Sequence, residues 1–151
     1  EMLRERSITK HYWAITENIP QEPEGTLRHW MTRDGKTNRA HAYSSPRGDA
    51  KEALLRYRLL GGSKNYRLLE IELITGRHHQ IRCQLAKAGC PIKGDLKYGA
   101  PRSNPGGGIS LHSRSLSFIH PVRKEPLTIT APVPREDSLW TFFEKSQGGA
   151  E

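Results

Sequence analysis

Up to Leu73 the apolar residues recur mostly at every second position, and they do so again near the end of the chain, with one stretch of longer period between. "SITKHYWAIT" (Ser7–Thr16) is rich in β-branched and aromatic residues and alternates as a strand does. A Pro-rich connection, "IPQEPEG", follows it. "TLRHWMT" and "TNRAHAY", separated by "RDGK", predict a hairpin that turns at Asp34-Gly35. "ALLRYRLLG" and "YRLLEIELI" predict a second hairpin across Gly61–Asn65, in which Leu55, Tyr57 and Leu59 share a buried face with Leu69, Ile71 and Leu73.

After Thr75-Gly76 the period lengthens. Ile81, Leu85 and Ala88 fall at i, i+4 and i+7, the stripe of an amphipathic helix capped by Thr75 and ended by Gly89. "APRSNPGGG" reads as a flexible surface loop, "ISLHSRSLSFIH" and "PLTITAPV" as further strands, and "SLWTFFEK" as a short terminal helix that packs Leu139, Trp140 and Phe143. The plan is α+β, a mostly antiparallel mixed sheet with one central amphipathic helix. Residues 1–151 are expected to form a single domain, with 135–151 as its terminal helix and tail.

Charge adds a direction to this picture. The net charge is +8, and the interval from Arg77 to Lys124 holds nine basic residues against one acid, Asp95, so it alone accounts for that value. Such an interval suits a polyanion, because neutralised phosphates release counterions. Two cysteines are too few for a disulfide scaffold and point to a reducing, cytoplasmic setting. No apolar run approaches about 18 residues, so no membrane span is expected.

The chemistry concentrates in "TGRHHQIRCQL" (Thr75–Leu85). Free N–H groups at a helix start, with Arg77 beside them, favour an anion. His78 and Arg82 lie on one flank of the apolar stripe, and an arginine bordering a core needs a carboxylate or phosphate partner. His79 and Cys83 stand at i, i+4 with Cys90 beyond, which is compatible with zinc. Neither CxxC nor HExxH occurs, so no metal is expected. His112 and His120, in strand-like segments, suit hydrogen-bonded structural roles. Tyr12 suits either a packed sheet face or an aromatic platform for a base.

"KHYWA", "TGRHHQIR" followed by "GCPIKGDLKYG", and "ISLHSRSLSFIHP" together resemble, in order and spacing, the later part of the RluA-type RNA pseudouridine synthases. The resemblance runs from about Leu3 to Pro134. It implies a pseudouridine synthase-like catalytic domain that isomerises uridine in structured ribosomal or transfer RNA without cofactor or metal. By this resemblance Tyr12 matches the tyrosine that stacks on uracil, and Arg82 the arginine that pairs with the catalytic aspartate. Arg77, His79 and Gln80 match cleft-lining positions, and Lys93 and Lys97 are further expected RNA contacts.

The family's nucleophilic aspartate belongs to an HRLDxxTSG segment that this sequence does not contain, and Asp34, Asp49, Asp95 and Asp137 stand in other contexts. Arg82 is therefore expected to face an aspartate from outside these residues, in a chain that is either part of a longer synthase or an RNA-binding module without its chemistry. On either expectation the isolated chain is inactive.

Overall fold

The structure is a computed structural model and describes residues 8–119, 122–135 and 137–147. Its strands are β1 (Ile8–Thr16), β2 (Glu24–Asp34), β3 (Arg39–Tyr43), β4 (Lys51–Gly62), β5 (Arg67–Leu73), β6 (Leu111–Ile119) and β7 (Pro126–Thr130). Helix α1 (Gln80–Lys87) follows β5, a 3-10 turn spans Leu96–Tyr98, and α2 (Ser138–Ser146) comes last. The seven strands form one sheet in the order β3-β2-β4-β5-β1-β6-β7, and every pairing between them is antiparallel. The sheet strands thus run as the alternation predicts. His120 lies outside the described residues.

Strand alternation sorts the core into two faces. Leu55 pairs with Leu73, Tyr57 with Ile71 and Leu59 with Leu69, so the second hairpin presents one apolar face. That face, joined by Ala14 of β1, packs against Ile81 and Leu85 of α1 and against Ile92. Trp13, Ile15 and Leu68 point the other way and meet Val133, Trp140 and Phe143, so α2 covers the opposite face. Asp137 caps α2 by accepting from the Leu139 N–H. Arg114 of β6 holds that helix down, donating to Glu144 at 2.9 Å and to the Ala131 carbonyl at 2.7 Å while lying 4.2 Å from the Trp13 ring. This arginine draws the Glu144 carboxyl below the usual glutamate range.

The α1 start differs from the sequence expectation. The helix begins at Gln80, and the residue before it, His79, holds a left-handed conformation at φ 55°. Thr75 does not cap it. Its hydroxyl is drawn instead toward the sheet, where it accepts from the Leu54 N–H at 2.9 Å. Ala88 is exposed, and Cys83 and Gln84 join Ile81 and Leu85 on the buried side. The turn before the 3-10 segment requires glycine at Gly94, at φ 88°, because a Cβ there would stand 2.5 Å from the Asn104 amide. Asn104 accepts from Lys93 at 2.7 Å and donates to Ser110 at 3.1 Å, so the Pro/Gly-rich loop is anchored rather than loose.

Candidate active site

Two buried glutamines fix α1 to the sheet. Gln80 uses its whole amide: the oxygen accepts from the Thr75 hydroxyl at 2.8 Å and the Arg77 N–H at 2.9 Å, and the nitrogen donates to the Leu54 carbonyl and to Gln84, both at 2.9 Å. One turn on, the fully buried Gln84 amide nitrogen reaches His29 at 2.9 Å and the Leu27 and Ala53 carbonyls at 3.2 Å. A buried amide is tolerable only when its donors and acceptors are met, and here they are. The His29 ring accepts at Nδ1, because the amide can only donate to it.

Arg82 lies on the outer flank of the same helix, and its partner corrects the sequence expectation. Nε and Nη2 of Arg82 each stand 2.8 Å from an oxygen of Asp95, a bidentate pair inside this chain. The Asp95 side chain is 1% exposed and that of Arg82 21%. The lone acid among nine basic residues was the visible signal of this pair, since a buried carboxylate in a cationic stretch must answer one of the cations. Arg82 also lies 5.0 Å from the Tyr98 ring, as Arg39 does at 4.8 Å.

The third guanidinium nitrogen, Nη1, stands 3.1 Å from His79 Nε2. A guanidinium has no lone pair to offer, so His79 Nε2 accepts and the proton of the neutral ring is on Nδ1. From there it donates to the Tyr98 hydroxyl oxygen at 2.7 Å, which also accepts from the Ala40 N–H at 2.8 Å. Burial, then Arg82, pushes the His79 pKa down to about 4. Burial followed by Lys87 lowers that of His29, and burial followed by Arg33 lowers that of His78.

Each of the three imidazoles thus has a folded pKa below its unfolded one, and unfolding takes up protons as the pH drops. The associated stability is complete above about pH 6.5 and declines as pH falls toward 4. The urea midpoint should decrease from about pH 7 to pH 5, with a smaller decrease in His79→Gln. Proton NMR showing the His79 ring titrating near pH 6.5 would contradict this account.

The structure brings Tyr12, Arg77, His79, Gln80 and Arg82 to one cleft of about 240 Å3, walled by apolar residues of β5 and β6. Tyr12 reaches it from β1, where it is half-buried, and Arg77 is held by donating from Nε to the Glu52 carbonyl at 2.8 Å. Gln80 is 3% exposed and its amide is spent, so it shapes the cleft wall. Lys93 and Lys97 do not line it. Lys93 turns inward to Asn104, with Asp137 at 3.8 Å, and Lys97 donates to the Asn38 carbonyl at 2.8 Å. None of Asp34, Asp49, Asp95 and Asp137 lines the cleft either.

The basic interval is also partly answered from the flanks. Arg102 pairs with Glu17 and Arg114 with Glu144, so part of the charge concentrated along the sequence is neutralised by acids from outside the interval. Cys83 donates to the Ala40 carbonyl at 3.4 Å while His79 bonds Tyr98 and Arg82. Among the described residues no helix is long and apolar enough to cross a membrane.

Comparison with known proteins places the chain in a family. Residues 1–87 match the family model described as RNA pseudouridylate synthase. An uncharacterised RNA pseudouridine synthase of Synechocystis is 35% identical over 134 residues, which cover 87% of this chain and 41% of the relative. Ribosomal large subunit pseudouridine synthase D of Xylella fastidiosa is 34% identical over 168 residues, covering 96% of this chain and 49% of the relative. The chain therefore spans about half or less of the length of these curated relatives. Among solved structures, human RNA pseudouridylate synthase domain containing 4 superposes with a TM-score of 0.70 at 25% identity, over 92% of this chain and 63% of that one. With more than half of its length matched by the family model and the partial α+β fold shared with that structure, the chain belongs to the RluA-type RNA pseudouridine synthases.

Proposed function

We propose that these residues form the base-holding half of the active site of a synthase that converts uridine to pseudouridine in ribosomal or transfer RNA. The nucleophilic aspartate comes from an HRLDxxTSG segment outside this sequence. The observation that carries the reading is the convergence of Tyr12 and Arg82, far apart in sequence, on one cleft that contains no carboxylate of its own.

In the reaction the aspartate bonds to the extracted uridine or its ribose, the glycosidic bond breaks, and the uracil turns and rejoins the sugar through carbon. The aspartate is then released, the joined carbon gives up its proton, and the freed ring nitrogen gains one. Tyr12 stacks on the base, holding it in place while it is detached. Arg82 has five N–H groups, of which two are committed to Asp95 and one to His79. The remaining two are available to hold the incoming aspartate ionised. Asp95 and His79 are then positioning residues that fix the guanidinium, and Gln80 acts through the helix it anchors. Arg77 contributes charge at the cleft mouth. Lys93 and Lys97 act on RNA only through the loops they tie together. The reaction itself needs no metal or cofactor, and the setting is cytoplasmic.

The chain alone should bind structured RNA without forming pseudouridine, and Tyr12→Ala should weaken that binding by about 1–3 kcal/mol, the worth of one stacked base. Joined behind a segment carrying HRLDxxTSG, it should form pseudouridine. Product from the chain alone would overturn the assignment, as would a folded, RNA-binding fusion that gives none. A role as an RNA-binding module without chemistry is the outcome in that last case.

A further inference from the structure

Cationic side chains with no carboxylate partner among the described residues gather at one place, two of them from outside the basic interval of the sequence; of these Arg33 donates only to the Asn38 side-chain oxygen, at 3.2 Å. A second concavity, about 270 Å3, adjoins the Tyr12 cleft and shares Arg77 with it. Its other charged walls are Arg33 of β2, Lys51 of β4 and one acid, Asp49. Met31 pairs directly with Lys51, and Arg33 is two residues beyond Met31, so both cations project from the face of the sheet that carries α1. The Lys51 ammonium has no ionic or hydrogen-bonding partner among the described residues.

His78 completes the wall. Its ring stacks on His79 at 3.9 Å, and its Nε2 is buried without a hydrogen-bond partner. Burial and then Arg33 hold the pKa of this ring below the ordinary imidazole value. A larger concavity on the opposite face of the sheet makes the contrast. It is lined by Arg56, Arg58, Glu70 and Glu72, whose charges cancel in the pairs Arg56–Glu72 and Arg58–Glu70.

We infer that the concavity between Arg33, Lys51, Arg77 and His78 binds a backbone phosphate of the RNA strand, next to the nucleotide held at Tyr12. The inference rests on the proposed function and adds to it a second contact point. Arg77, tethered through Nε to the Glu52 carbonyl, is the wall common to both and sets the spacing between base and phosphate.

The test is the salt dependence of RNA binding by this chain, compared between wild type and Arg33→Gln/Lys51→Gln. Both residues are exposed, so the fold should persist, and thermal unfolding checks that it does. Loss of one phosphate contact should lower affinity about tenfold at low salt and reduce the slope of log K against log salt by about 1. Arg56→Gln/Arg58→Gln removes the same charge from the opposite face and should leave the slope unchanged. Tyr12→Ala should weaken binding with the slope retained.

An unchanged slope in Arg33→Gln/Lys51→Gln would overturn the phosphate site and leave the Tyr12 cleft standing. Equal losses in the two double variants would overturn it in favour of a net-charge effect. Wild-type chain that binds no RNA would overturn both readings.

Discussion

Asp95→Asn should lower the stability of the folded chain by about 3–5 kcal/mol, the usual cost of removing one partner from a buried ion pair. The substitution keeps the shape of the side chain and deletes its charge. Arg82 would then be a guanidinium with a side chain only 21% exposed, facing an amide whose nitrogen offers no lone pair. One of the two 2.8 Å bonds must be lost, and the other would join the charged donor to a neutral oxygen instead of a carboxylate. The effect spreads because Asp95 also organises its own turn, where the Ala100 and Tyr98 N–H groups bond its backbone carbonyl. Chemical denaturation of wild type and variant measures the difference. A double variant with Arg82→Met should recover part of the loss, since it removes the stranded charge. Asp95→Asn as stable as wild type would show that the pair is not what holds this turn against α1.

The same pair shows where sequence patterning stops. Alternation located the strands and the two hairpins because a period of two is a local property, enforced by one buried face. The terminal helix was legible for a similar reason: Trp140 and Phe143 lie on one stripe and are both buried. Partner choice is not local. Arg82 and Asp95 meet only because the chain turns at Gly89 and again at Gly94, and Lys93 is diverted inward by an asparagine in a loop that reads as loose. The cap residue Thr75 predicts too early a start for α1 for a related reason. Thr75 is a good cap residue, yet the sheet carbonyl and N–H of Leu54 compete for it and for Gln80, and they win. The resemblance named Tyr12 and Arg82, but it could not show that Arg82 already has a partner or that Gln80 faces inward.

Gln84→Leu should cost about as much, 3–5 kcal/mol, by a different route. Volume changes little, so cavity formation is not the cause. The cost arises from four polar groups left in the interior: Gln80 loses an acceptor for its Nε2, and His29 Nδ1 and the Leu27 and Ala53 carbonyls lose a donor. Each buried group left unmatched costs about 1–3 kcal/mol, though the carbonyls keep their strand partners and are affected less. His29 reports the change separately. Its ring is held neutral by burial first, and the substitution withdraws the amide proton that Nδ1 accepts, so its NMR signature should shift even in protein that remains folded. Gln84→Glu distinguishes hydrogen bonding from packing: it retains the shape and the acceptor for Gln80, but presents a carboxylate to two carbonyls and an imidazole acceptor. It should therefore destabilise at neutral pH and recover as the pH falls and the carboxyl gains a proton. Because Gln84 binds Gln80, and Gln80 holds the Arg77 N–H, loosening at Gln84 should reach the cleft as weaker RNA binding that stabilising solutes restore. Stability unchanged in Gln84→Leu would mean that apolar packing by Ile81 and Leu85 alone seats α1 on the sheet.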